Sequence, residues 1–312
     1  MRLIALIVAA LLAAPVTAAP PRPGPTSAQV IAATQASDWR PLDPDNTLLM
    51  ELAAGQVLIE LAPRFAPRHV ANIRTLIREG YFDALAILRS QDNYVVQWGD
   101  PNAESPDKAR SLGKAQARLP AEFSVPLRGL PLQRLPDVDG WAAVTGFVDG
   151  MPVAADPRSG RAWLAHCYGM VGAGRDNPAD SSNGSELYAV SGQSPRGLDL
   201  NITLVGRVLQ GMQWLSALPR GTAEMGFYAQ PEQRTAIVRV RLLADMPEVE
   251  RPPLEMLRTD SDAWKTLLDS RRFRREEWFV HSPGHVGLCN ATVPLRPRTP
   301  AVPVPSASAA PR

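Results

Sequence analysis

The sequence has few cysteines, few lysines and no excess of charge of either sign. Its 312 residues include 33 basic and 31 acidic side chains, for a formal net charge of +2. This balance gives no reason to expect a nucleic-acid partner or an acidic membrane surface. Only Lys108, Lys114 and Lys265 are lysines, so arginine supplies nearly all of the positive charge. The hydrophobic content of 45% is enough to fill the core of one large domain or two small ones.

Long hydrophobic runs are also missing. A membrane span needs about 20 apolar residues, whereas the run from Leu3 to Leu12, which follows Arg2, is about half that length. A single positive charge, a short apolar run and a small-residue exit are typical of a secretory signal peptide, and cleavage after Ala18 fits the small-x-small pattern. We therefore predict a signal peptide at residues 1–18 and an exported, periplasmic protein without a membrane span.

The two cysteines, Cys167 and Cys289, allow one disulfide in a compartment where disulfides persist. Such a bridge would tie the C-terminal region to the centre of the chain. Two separate buried thiols are the alternative, and the sequence favours neither arrangement.

Histidine is scarce as well, with four in the chain. A Ser-His-Asp hydrolase therefore has few candidates, and no nucleophile elbow is present. The spacing of His281, His285 and Cys289 could indicate zinc, but Pro283 and Gly284 would break any helix and a fourth ligand is missing. We predict neither a metal site nor an organic cofactor.

The chain begins its regular pattern with a hairpin and a helix. Apolar runs at Leu48–Leu52 and Val57–Leu61 flank a short turn that contains Gly55, which predicts two paired strands. Pro67 then opens a helix that ends at Gly80, the usual positions for these two residues. Its inward face would carry Val70, Ile73, Leu76 and Ile77.

Short apolar runs alternate with turn residues beyond this helix, as at Leu187–Val190 and Thr203–Val208. One further short helix is predicted at Gly211–Leu218. Many short strands with two helices indicate a closed or sandwich-like antiparallel β architecture.

The two ends of the chain differ from this central region in composition. Residues 19–38 are rich in Pro, Ala, Ser and Thr and are predicted to form a flexible lead-in. In the stretch 247–292, Ser261 could cap a helix that buries Trp264, Leu267 and Leu268. Residues 293–312 are rich in Pro, Ala and Ser and are predicted to be disordered.

One arginine interrupts the apolar run that begins at Ile87. Arg89 follows the segment Gly80–Asp83 and precedes Tyr94–Pro101, which contains a glutamine and a Gly-Asp-Pro turn. Later blocks follow in a fixed order at Gly169–Ala173, Asn183–Tyr188, Leu198–Asp199 and Val205–Met212. Together they resemble the cyclophilins, a family of peptidyl-prolyl cis-trans isomerases, over roughly residues 46–244.

The resemblance implies a mainly β fold: a closed eight-stranded antiparallel barrel capped by two helices. It assigns this domain to residues 39–246, with an insertion at about 124–162. Residues 247–292 would form a partly helical C-terminal extension.

The resemblance also implies roles for particular residues. Arg89 matches the catalytic arginine, and Gln97 matches the glutamine that orients it. The positions that hold the proline ring are Tyr94, Val95, Tyr188 and Leu198. Substrate-binding positions that depart from the family, or that would act through the main chain, are Val171, Gly172, Glu186 and Ile202.

Several departures from the family fall in this predicted site. Gly172 replaces an asparagine that binds peptide backbone, and Ile202 replaces a histidine. Glu186 replaces a glutamine and could pair with Arg89, which would hold or weaken its charge. Gly197 stands near the usual pocket tryptophan or phenylalanine, which predicts a pocket open on that side.

The chemistry of proline isomerisation explains the need for an arginine. Rotation about a peptide bond breaks amide resonance, with a barrier of about 18–20 kcal/mol. The twisted prolyl nitrogen regains a lone pair, so a guanidinium beside it binds the transition state better than the substrate.

We predict an isomerase acting on proline-containing segments of unfolded or flexible envelope proteins. The alternative is a barrel that binds peptides without fast turnover, as a chaperone or scaffold; Gly172, Gly197 and Ile202 favour it.

Overall fold

The structure is a computed structural model that describes residues 24–298, apart from the side chain of Ser194. These residues form four α-helices and sixteen β-strands. The helices are α1 (Ser27–Ala32), α2 (Pro67–Arg78), α3 (Met212–Ser216) and α4 (Asp262–Arg272). The strands are β1 (Trp39–Pro41), β2 (Thr47–Leu52), β3 (Gly55–Leu61), β4 (Ala86–Ser90), β5 (Val95–Gly99), β6 (Val125–Pro126), β7 (Gln133–Arg134), β8 (Val144–Val148), β9 (Met151–Asp156), β10 (Arg161–Leu164), β11 (Met170–Ala173), β12 (Leu187–Val190), β13 (Leu204–Gln210), β14 (Thr235–Leu242), β15 (Leu254–Leu257) and β16 (Leu295–Pro297).

Eight antiparallel strands close into a barrel in the order β11-β12-β5-β4-β14-β2-β3-β13. This confirms the predicted fold class. The predicted hairpin is β2–β3, and α2 begins at Pro67 with its predicted apolar face buried against the barrel interior. Leu215 of α3 packs into the same interior cluster. Alternating side chains therefore fill the barrel from within and leave its outer face for other contacts.

The strands between residues 125 and 164, in and next to the predicted insertion, form a five-stranded sheet in the order β6-β10-β9-β8-β7, and β1, β15 and β16 form a second small sheet. Trp264 of α4 is buried against this layer, with its ring edge-on to Phe147 at 5.1 Å. Ser261 caps α4 as predicted, because its hydroxyl accepts a hydrogen bond from the Trp264 amide at 3.1 Å. We call residues 24–42, 124–165 and 247–298 together the outer module.

Two segments that composition marked as flexible contain regular structure. Within the lead-in predicted at 19–38, α1 buries Val30, and Ser27 bonds to Ser270 of α4 at 2.9 Å. Within the tail predicted at 293–312, β16 pairs with β15. Composition did not reveal these elements because their partners are distant in sequence. The predicted signal peptide at 1–18 and residues 299–312 lie outside the described residues.

A disulfide bond and the hydrogen bond of one arginine join the outer module to the barrel. Cys167 and Cys289, 122 residues apart, form a disulfide, which is one of the two arrangements that the sequence left open. Arg207 on β13 has 12% of its side chain exposed and donates to the carbonyl oxygen of Gly150 at 2.7 Å. Burial lowers the pKa of Arg207 to about 10, although the charge of Glu60 opposes this effect.

Among residues 24–298, no helix is both long and apolar enough to cross a membrane.

Replacing both Cys167 and Cys289 with serine removes the cross-link at little change in side-chain size. We expect the free energy of unfolding to fall by about 2–4 kcal/mol, because the bridge closes a long loop and restricts the unfolded chain. Urea denaturation of the oxidised protein and of the double variant measures the difference. Reductant should lower the wild type to the stability of the variant and leave the variant unchanged. Equal stability under oxidising conditions would contradict the expectation.

Candidate active site

Four of the predicted site residues lie side by side on the outer face of the barrel. Arg89 on β4 pairs with Gln97 on β5, and Gln97 pairs with Tyr188 on β12. Tyr188 in turn pairs with Gly172 on β11. Because paired residues of antiparallel strands share a face, these four residues form one row across four strands. We call them the outer row.

A β-bulge puts Arg89 into this row. Ile87 pairs with Trp98, and Arg89 pairs with the next residue, Gln97, so Leu88 is an extra residue in β4. Ile87 is fully buried in the barrel interior. Side chains alternate along a regular strand, so without the bulge Arg89 would share the inward face of Ile87. The extra residue turns the arginine outward.

Only 8% of Arg89 is exposed, and three hydrogen bonds hold its guanidinium. Its Nε donates to the carbonyl oxygen of Met225 at 2.6 Å, and its Nη1 donates to Oε1 of Gln97 at 3.0 Å. Its Nη2 donates to Oε1 of Gln91. Met225 has a φ of +55°, a left-handed conformation that is strained for a residue other than glycine. The loop therefore presents its carbonyl to Arg89 at a conformational cost.

Two aromatic rings flank the same guanidinium. The Cζ atom of Arg89 lies 5.5 Å from the ring centroid of Tyr94 and 5.3 Å from that of Phe227. Burial lowers the pKa of Arg89, while the nearby charge of Glu186 opposes this effect. The side chain stays charged, because the pKa of an arginine is far above neutral. A fixed cation flanked by two aromatic rings is thus present on the outer face of the barrel.

Three of these contacts were not predicted from the sequence. Met225 and Phe227 lie far along the chain from Arg89, and no local pattern points to them. Gln91 carries a signal that could have been used, because it follows Arg89 by two positions and a strand places such residues on one face.

Gln97 stands between Arg89 and Glu186. Its Oε1 accepts from Arg89, and its Nε2 donates to Oε1 of Glu186. Among the described side chains, Glu186 makes no direct ion pair with Arg89, so the direct contact that the sequence allowed is replaced by this relay. Burial raises the pKa of Glu186, partly offset by the hydrogen bond from Gln97. The amide of Gln97 is oriented by a donor on one side and an acceptor on the other.

Three of the four predicted ring-holding residues belong to one apolar cluster, and the fourth, Leu198, lies on a separate turn. Val95 and Tyr188 are buried in the cluster, and Tyr94 and Ile202 pack against it half-buried. Leu198 is half-buried at the end of the turn Ser194–Leu198.

Two of the predicted positions offer main chain or open space. The side chain of Val171 points into the barrel interior, so only its backbone faces the outer row. Gly197 is exposed, with open space where a side chain would extend.

Gly172 and Tyr188 are adapted to each other. A Cβ atom at position 172 would collide with the Cζ and hydroxyl oxygen of Tyr188, so the ring of Tyr188 lies across the glycine. The hydroxyl oxygen of Tyr188 lies 2.9 Å from Nε2 of His166, which the sequence did not mark as part of the site. An asparagine at position 172 would require the ring to move.

Within residues 24–298, no three His, Cys, Asp or Glu side chains converge in a way that could hold an ion. Cys289, whose spacing with two histidines could have indicated zinc, is bonded to Cys167.

Comparison with known proteins agrees with this geometry. The family model described as "Cyclophilin type peptidyl-prolyl cis-trans isomerase/CLD" matches residues 47–242. A "Probable peptidyl-prolyl cis-trans isomerase" of Brucella suis biovar 1 is 28% identical over 204 residues, which cover 65% of this chain and 85% of that protein. "Peptidyl-prolyl cis-trans isomerase-like 1" of Gibberella zeae is 23% identical over 202 residues, covering 65% of this chain and 98% of that protein.

The fold of the outer module also has a counterpart among solved structures. The cyclophilin AquaCyp293 from Hirschia baltica superposes with a TM-score of 0.64 and 24% identity, covering 88% of this chain and 99% of that one. This coverage extends beyond the barrel, so the similarity in fold includes parts of the outer module. The barrel, the outer row and the family match over residues 47–242 together show that this chain belongs to the cyclophilin-type peptidyl-prolyl cis-trans isomerases.

Proposed function

We propose that Arg89 is the catalytic residue of this isomerase and that Gln97 orients it. The observation that carries the proposal is a buried guanidinium held by Met225, Gln97 and Gln91 on the outer row. A guanidinium has five N–H groups, so three bonds leave two N–H groups for a substrate. The charge is already oriented before any peptide binds, which lowers the cost of reorganisation during the reaction.

The proposed reaction needs no covalent step. As the X–Pro bond twists, the prolyl nitrogen becomes pyramidal and accepts a hydrogen bond from Arg89 that the planar amide cannot accept. The interaction therefore stabilises the transition state more than the bound substrate. Lowering the barrier by about 7 kcal/mol would give about five decades of rate. Bond rotation transfers no electrons or groups, so the proposal includes no cofactor.

The proline ring would rest against the apolar cluster beside the arginine. Tyr94, Val95, Tyr188, Leu198 and Ile202 are the side chains proposed to hold it. The backbone of Val171 and Gly172 would bind the peptide main chain, because neither residue offers a side chain to the outer row. Glu186 would act through Gln97.

The proposed substrates are proline-containing segments of unfolded or flexible exported proteins in the periplasm. The signal-like sequence at 1–18 supports export. The disulfide between Cys167 and Cys289 agrees with an oxidising compartment.

A second candidate function is peptide binding without fast turnover, as a chaperone or scaffold. The open space at Gly197 favours it, because the pocket has no wall on that side. The missing side chain at Gly172 favours it too, since one contact to the peptide backbone is lost. The two candidates differ in whether bound peptide isomerises faster.

Arg89→Ala is expected to lower kcat/KM by about 10²–10³-fold, the usual effect of losing one preorganised donor. Arg89→Lys keeps the charge but loses the planar guanidinium, and we expect its kcat/KM to lie between those of Arg89→Ala and the wild type. A protease-coupled assay on a proline peptide measures these rates.

Arg239→Ala is a matched control for the Arg89 variants, because Arg239 lies half-exposed on β14 and pairs with Glu51 at 3.6 Å. We expect it to keep the wild-type rate. Thermal melting should show that each variant is folded. Peptide binding by the wild type without any acceleration would reject catalysis and leave the binding module.

Glu186→Gln is expected to raise kcat/KM about two- to fivefold, because it removes a negative charge that reduces the positive potential around Arg89. Burial raises the pKa of Glu186 above its ordinary value of about 4.3. As the pH falls through this raised pKa, the carboxyl becomes neutral, and the wild-type kcat/KM should rise. The variant should lack this rise and stay at the higher level. A wild-type pH profile that is flat or falls in this range would contradict the electrostatic account.

Export predicts a mature protein that begins at residue 19. Mass spectrometry of the periplasmic fraction of a bacterial host should find this species, because a small residue at position 18 permits cleavage. Ala18→Leu should block cleavage and lead to accumulation of the precursor. Full-length protein in the cytoplasm of cells that carry the wild-type sequence would reject the predicted signal.

A further inference from the structure

A chain of hydrogen bonds leads from the outer row into the interior of the protein. The hydroxyl oxygen of Tyr188 lies 2.9 Å from Nε2 of His166, and Nδ1 of His166 lies 2.9 Å from Oδ1 of Asp199. The same Oδ1 accepts from the backbone amide of His166 at 2.9 Å. The planes of the His166 and Tyr188 rings differ by only 10°. His166 is 1% exposed, so this chain is shielded from water.

The partners of His166 define which nitrogen carries its proton. Asp199 is an acceptor when ionised, so Nδ1 of His166 must be the donor between them. In neutral His166, Nε2 is then free to accept, and the hydroxyl of Tyr188 donates to it. Each of the three groups has one orientation that satisfies its neighbour, and the phenol ring is fixed as a result.

Asp199 is itself held in place. Its Oδ2 accepts from Nε of Arg196 at 2.9 Å and from Nε1 of Trp163 at 3.3 Å. Arg196 also bonds to both carboxylate oxygens of Asp139, at 3.1 and 3.2 Å. Burial would raise the pKa of Asp199, but hydrogen bonds from His166 and the charge of Arg196 outweigh it, and the pKa lies below its ordinary value. Trp163 and Asp139 belong to the outer module, so the chain ends there.

The ring of Tyr188 is packed in the apolar cluster with 3% of the residue exposed, and His166 holds its polar end. Its neighbour in the row adds no side chain on that face. The ring lies across Gly172, which has no side chain to wedge it. On the other side it adjoins Gln97, its partner in register. A ring that rotates away from His166 would change the space next to the glutamine that orients Arg89.

We propose that His166 is a positioning residue: with Asp199 it fixes the phenol ring of Tyr188 as one wall of the proline site. The outer module thereby sets the shape of a site that lies on the barrel. This inference rests on the proposed function, since it assigns Tyr188 to the proline site. Because the wall contacts the proline ring in both ground and transition states, loosening it acts mainly on KM.

Three variants test the hydrogen bond. Tyr188→Phe keeps the ring and removes the hydroxyl, His166→Leu removes the acceptor, and His166→Gln offers an amide oxygen as a substitute acceptor. We expect the first two each to raise KM about three- to tenfold with kcat within about twofold. The double variant Tyr188→Phe/His166→Leu should be no worse than the larger single effect, because both changes break the same bond. The KM of His166→Gln should lie much closer to the wild-type value than the KM of His166→Leu.

Tyr168→Phe is the matched control, since Tyr168 is a tyrosine two positions from His166 with 52% of its surface exposed. It should leave both kinetic constants unchanged. A lower melting temperature in His166→Leu with a wild-type KM would show a merely structural role and overturn the proposal. Additive effects in the double variant would also overturn it, because they would mean that the two residues act separately.

The proposed function and this inference can fail independently. If the wild type binds a proline peptide without accelerating isomerisation, the proposed catalysis fails. The dissociation constant of the same peptide then replaces KM when each variant is compared with the wild type. Unchanged peptide affinity in Tyr188→Phe and His166→Leu would reject the positioning role.

Discussion

A permanently charged side chain is very costly inside an apolar barrel, and β4 carries Arg89 only two positions after the fully buried Ile87. The bulge at Leu88 resolves this conflict by turning the arginine outward. On the other side of β4, pairing with β14 stops at Ile87, and the loop that contains Met225 bonds there: the amide of Tyr228 donates to the Leu88 carbonyl at 3.0 Å. The extra residue thus turns the cation away from the barrel interior, and the loop brings the carbonyl that holds it.

Much of the barrel could be predicted because its information is local. Two apolar runs around a short turn marked β2 and β3, and Pro67 and Gly80 marked the ends of α2. The resemblance carried by Arg89 and Gln97 located the site. The supports of the site could not be found in this way. Met225 lies 136 positions from Arg89 along the chain, and His166 lies 22 positions from Tyr188. Each of these residues reaches its partner only after the chain has folded. Helix α1 and strand β16 were missed for the same reason.

The departures from the family pattern are linked to one another. Taken singly, Gly172 was predicted only to lose a contact with the peptide backbone. In the structure the tyrosine ring occupies the space that the glycine leaves, and its hydroxyl reaches His166. Glu186 likewise acts through Gln97. The positions predicted to depart from the family are therefore linked by direct contacts in the structure.

The small sheet of β1, β15 and β16 joins the beginning of the described chain to its end. Trp39 of β1 pairs with Leu257, and Met256 beside it pairs with Leu295. Because a ribosome makes the chain from its N-terminus, β1 is synthesised early and has no partner strand until the C-terminal segment follows. Contacts between such distant segments form late, since closing the loop between them is entropically costly. The outer module is consequently complete only once residues 295–297 have been made, and its disulfide can close only after Cys289 has been made.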